Sequence, residues 1–74
     1  MPHINIKHFP VQLSQEQKAK LITAFTDALV AVLGCEPRVV SIAMEPVDPA
    51  LWKKQVYVPE IVNRRELLCK LPGY

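Results

Sequence analysis

Glycine is scarce in this chain: only Gly34 and Gly73 occur among 74 residues. A loop that cradles phosphate with backbone N–H groups needs several closely spaced glycines, so that chemistry has no place here. Cysteine is equally sparse. Cys35 and Cys69 form no C-x-x-C pair, and with His3 and His8 they show no metal-ligand spacing, so no metal site is expected. They read as free thiols of a reducing compartment. Charge is thin as well. The net charge is +2, and the basic pairs Lys53-Lys54 and Arg64-Arg65 lie near acids with no interleaved aromatics. That argues against a nucleic-acid footprint. No apolar run reaches the roughly 18 residues that span a bilayer. With no targeting segment recognisable either, the cytoplasm is the expected location and a membrane is not an expected partner. No serine or cysteine sits in a nucleophile motif, and no two acids form an evident pair. Glu45 reads as a solvated strand end.

What is abundant is apolar surface. Half of the residues are hydrophobic. A chain of this length makes one small domain, residues 1–74, whose interior is marginal. Part of its apolar surface is therefore expected to be buried against a second copy.

The pattern along the chain is ordered. From Pro2 to Phe9 it alternates, with Pro2, Ile4 and Ile6 on one face and His3, Asn5 and Lys7 on the other. A period of two predicts a strand with one apolar face. His3 and His8 differ in parity and read as solvated or hydrogen-bonded histidines rather than ligands. "SQEQ", Ser14 to Gln17, fits a capping box, so a helix is expected to about Leu33. Its apolar stripe is Leu21, Ile22, Phe25, Ala28, Leu29, Val32 and Leu33, with Gly34 as a left-handed stop. Val39 to Glu45 reads as a second strand, with Val40, Ile42 and Met44 on one face. Strand, long helix, strand is a β-α-β unit with parallel strands and a right-handed crossover. Beyond it, Asp48-Pro49 can cap a short helical turn carrying Leu51 and Trp52. Val56 to Val58 looks extended, and Pro59 could start a last helix through Ile61, Val62, Leu67 and Leu68. Two strands and one helix cannot close a core. The expected fold is thus α+β: β-α-β subunits pairing into a four-stranded sheet covered by two helices.

The one residue with unusual chemistry is Pro2. Removal of Met1 is favoured by a small second residue and would turn the Pro2 nitrogen into a secondary amine. A free N-terminal amine has an unperturbed pKa of about 7.7–8.0, against about 10.4 for lysine. Proline's amine is somewhat more basic than a primary one. Desolvation on the apolar face of Ile4 and Ile6 disfavours the charged form and can lower the value into the working range of a general base. If Met1 is retained, the same nitrogen is a tertiary amide with a delocalised lone pair and cannot act as a base.

"MPHINIKHFP", "SQEQKAKLITAFTDAL", "SIAMEPVDPALW" and "KLPGY" together resemble the tautomerase superfamily over essentially the whole chain. The likeness is greatest to the short 4-oxalocrotonate tautomerase-like subunits of the dimeric bacterial branch. The resemblance implies an obligate oligomer, a dimer being favoured, of the β-α-β fold. It also implies that Pro2, freed of Met1, is the catalytic general base and acid of a cofactor-independent tautomerase acting on a small molecule. Hexameric relatives hold a dicarboxylate with two arginines, and those places here hold Val11 or Gln12 and Val40. Trp52 falls where the family sets an aromatic that walls the pocket near the proline. The implied substrate is an arylpyruvate-like keto–enol pair, with Arg38 a candidate for its carboxylate. The missing arginines also leave room for a catalytically idle relative that serves as a binding or assembly subunit.

Overall fold

A computed structural model describes residues 1–74. The alternation of the first segment forms β1 (His3–His8), and "SIAMEP" forms β2 (Ser41–Pro46). They pair in parallel, with His3 opposite Ser41 and His8 opposite Pro46, as the crossover requires. Between them runs α1 (Gln15–Leu33). The Ser14 hydroxyl accepts from the Gln17 N–H, and the Gln17 side-chain oxygen accepts from the Ser14 N–H, each at 3.0 Å. Two of the helix's orphan donors are thereby satisfied reciprocally. At the other end Gly34 takes φ 70° and donates its N–H to Val30. A side chain with a Cβ is strained in that conformation, so glycine ends the helix cleanly.

The second strand starts later than its pattern suggests. Pro37–Val39 form a 3₁₀ turn in which the Val40 N–H donates to the Pro37 carbonyl. Proline's fixed φ suits the first position of such a turn, so Val39 and Val40 are held out of the strand. The tail differs more. Asp48 caps the turn Pro49–Leu51 through the Ala50 N–H, as expected. Val56 to Val58, expected to be extended, instead belong to a wide helix, Lys53–Val62, with Pro59 inside it. Its closing bond runs from the Asn63 N–H to Val58, five residues back. In an α-helix the Pro59 ring would meet the carbonyl four residues earlier, and the wider π-type turn relieves that clash. The expected single helix through Leu68 is therefore split, with a separate 3₁₀ turn at Arg65–Leu67.

The strand faces are unequal. Ile4, Ile6, Ile42 and Met44 are half-buried beneath α1, whereas His3, Asn5, Ser41 and Ala43 are exposed. In the whole chain only Val47 and Val56, at 3% and 6% exposure, are buried. Along α1, Leu21, Leu29 and Val30 are half-buried, but Val32, expected in the stripe, is 81% exposed, and Leu33 is exposed too. A protomer so open has no closed interior.

Candidate functional site

Pro2 immediately precedes β1, on the same parity as Ile4 and Ile6, and is half-buried. Its carbonyl accepts the Ser41 N–H at 3.2 Å, which ties the strand's first turn of backbone to β2. Extending the register by one residue sets Pro2 beside Val40. The two are thus brought together as neighbours at the same end of the sheet.

Arg38 lies near this end, in the Pro37–Val39 turn two residues before Val40. Its Nε–H donates to Glu36 at 2.5 Å, and both side chains are largely exposed. A surface pair of that kind gives an incoming carboxylate no desolvated partner. The Arg38 guanidinium is thus already paired within the protomer.

Trp52 sits at the other end of β1. Its ring meets Phe9 edge-to-face with centroids 5.1 Å apart, a favourable aromatic geometry. Its indole N–H donates to the Tyr74 hydroxyl at 3.2 Å, and Tyr74 in turn leans on Tyr57 at 5.9 Å. Since six strand residues extend about 20 Å, Trp52 and Pro2 of one protomer cannot touch the same small molecule.

Around Trp52 lies an open cavity of about 590 Å³, lined by Lys7, His8, Phe9, Trp52 and Tyr74. That volume falls within the usual range for small-molecule sites. A second hollow of about 310 Å³, under the start of α1, is lined by residues including His8, Leu13, Lys18 and Met44. Pro2 borders neither. Lys7 bonds Glu60 of the wide helix at 2.5 Å and faces Glu45 across the strands. The Glu60 hydrogen bond, helped by the charges of Glu60 and Glu45 and opposed by desolvation, raises the Lys7 ammonium above its ordinary value of 10.5. His8 donates from Nδ1 to the Phe9 carbonyl at 2.7 Å, since a carbonyl can only accept. Sequence reading missed Lys7, Phe9 and Tyr74. Only the closing "KLPGY" hinted at Tyr74, and no periodicity links Lys7 to Glu60, 53 positions later.

The two parallel strands joined by one long helix make this a small α+β subunit of the β-α-β type. Residues 2–57 match the family model described as "Tautomerase enzyme". The chain is 39% identical over all of its 74 residues to Tautomerase PptA of Escherichia coli O139:H28, covering 97% of that protein. The same identity holds for Tautomerase PptA of Escherichia coli K12 strain DH10B, with 95% covered. Among solved structures, DmpI from Helicobacter pylori superposes with a TM-score of 0.56 at 35% identity, over 64% of this chain and 78% of that one. This chain belongs to the tautomerase family, and its β-α-β unit is the tautomerase fold.

Proposed function

We propose that this protein is a cofactor-independent keto–enol tautomerase in which Pro2, freed of Met1, is the general base and acid. The observation that carries the proposal is the position of Pro2: it opens β1 on the half-buried face, held by Ser41, and the family match begins at that residue. The amine takes the proton from the enol oxygen. The oxygen's electron pair then forms the C=O bond, the C=C pair takes the proton from the ammonium, and the ketone leaves with the amine restored. Nothing is oxidised or reduced. Lowering the amine's pKa toward neutrality costs about 1.4 kcal/mol per unit, well within what an apolar face supplies. A secondary amine could also add to a carbonyl and lose water to form an iminium ion. Borohydride trapping with a 2-oxo acid tests that route, and a mass adduct on the N-terminal peptide would establish it.

The substrate we infer is an arylpyruvate-like enol or 2-oxo acid, because the cavity is walled by aromatics and no arginine stands beside Pro2. A homodimer supplies the rest of the site. The half-open sheet and exposed Val32 and Leu33 support pairing. A two-fold axis normal to the sheet reverses strand direction, so Pro2 of one copy comes toward Phe9 and Trp52 of the other. Ketonisation of phenylenolpyruvate by Met-free protein, lost in Pro2→Ala, is the test. Equal rates would remove Pro2 from the mechanism. A second reading, an idle binding or assembly subunit, is favoured by valine at position 40 and by the outward pairing of Arg38. Intact mass from the native host decides between them at the first step: a retained Met1 leaves Pro2 an amide and supports the idle form.

A further inference from the structure

We propose that Lys7 is the carboxylate-binding cation of the Phe9–Trp52–Tyr74 cavity, and that Glu60 sets how strongly it binds. The inference deepens the tautomerase reading by naming the group that fixes the substrate's charged end. It does not need Pro2 to be catalytic.

The cavity joins three aromatic walls to two nitrogen-bearing side chains. Of these, His8 has its Nδ1–H committed to the Phe9 carbonyl. Lys7 has three donor protons, and Glu60 takes one. The Lys7 side chain as a whole is 23% exposed, against 79% for Arg38, so it is the more sheltered of the two cations. Tyr74 adds a second donor: its oxygen accepts from the Trp52 indole, so its own proton remains available. An aromatic ring laid against the Phe9–Trp52 pair, with its carboxylate on Lys7 and Tyr74, would use each of these walls. Glu60, Tyr74 and the tail that carries them lie beyond the residues matched by the family model.

Trp52 is the only tryptophan and lines the cavity, so its fluorescence reports occupancy without turnover. The probes are 3-phenylpropanoate, which cannot tautomerise, and its neutral isostere 3-phenylpropanamide, titrated into full-length protein. The expected result is a carboxylate preference of about tenfold or more, as a charge-assisted hydrogen bond gives. Lys7→Met abolishes that preference while leaving amide affinity within about twofold, because the aromatic contacts persist. Glu60→Gln strengthens carboxylate binding several-fold by removing the competing anion, and this second variant keeps the test valid should Lys7→Met fold poorly. Equal affinity for the two probes, no quenching by either at millimolar concentration, or a preference that survives Lys7→Met overturns the proposal. Lys7-dependent binding without any turnover would overturn the tautomerase reading alone. Turnover with Lys7-independent binding would overturn this inference alone.

Discussion

The two ends of β1 differ in kind. At its start stand Pro2 and Val40, which line neither hollow, with Arg38 nearby and paired to Glu36. At its finish stand Phe9, Trp52 and Tyr74 around an open hollow, with Lys7 at the edge, but no proton-transfer base of the proline type. One end has the unusual nitrogen and the other has the binding surface, about 20 Å away along a rigid strand. The strand holds the two ends apart within one protomer. In the homodimer proposed for this protein, a second copy running the opposite way brings them together.

The sharpest way to break this comparison is to remove the base. Pro2→Ala should lower kcat by about 10²–10⁴-fold, the usual contribution of a positioned general base, with probe binding intact. Loss of binding instead of rate would mean that the two ends are not separate in function. The next test mixes inactive parents. Pro2→Ala and Trp52→Ala homodimers, exchanged in denaturant and refolded together, should recover about a quarter of parental activity. Half of the dimers are mixed, and each of those has one intact shared site. No recovery would place both groups in one protomer's site and defeat the two-ended picture.

Smaller effects sharpen what holds the ends apart. Ser14→Ala removes half of the capping box on α1 and should cost about 1 kcal/mol, several degrees in Tm for a domain of this size, with kcat unchanged. Gly34→Ala should cost a similar amount, about 1–2 kcal/mol. Open space surrounds the added methyl, so the whole cost is the left-handed backbone. The smallest effect belongs to Lys7 and Glu60. A lysine raised in the folded state contributes its stabilisation fully below 10.5, and loses it as pH rises through its higher folded value. Lys7→Met should therefore flatten the alkaline limb of a Tm-against-pH profile and leave the neutral plateau nearly unmoved, because the pair is partly exposed.

The legible parts of this protein were those fixed by short-range rules. Alternation at His3–His8, the Ser14 cap, the Gly34 stop and the Asp48 cap all appear where residue type and spacing put them. The misread parts involve proline in competition with periodicity. Pro37 turned Val39 and Val40 out of β2, and Pro59 was absorbed in a wide helix where a break was expected. The candidate site was half legible. Pro2 and Trp52 could be singled out by chemistry and resemblance, but their separation could not, because parity says which face a residue shares and not which end it approaches. Arg38 drew notice for its charge, and its bond to Glu36 was not legible from spacing.

By itself the sequence determined the parallel β-α-β unit, the helix and its ends, and the presence of a proline whose nitrogen can be freed. These depend on contacts within a few residues or on a crossover that the chain's handedness fixes. The tertiary structure alone decided that Trp52 closes on Phe9 and Tyr74, that Lys7 bonds Glu60, and that the cavity opens far from Pro2. Those contacts join segments up to 53 positions apart, through a tail whose path depends on how a π-turn carries Pro59, and no local pattern encodes that path.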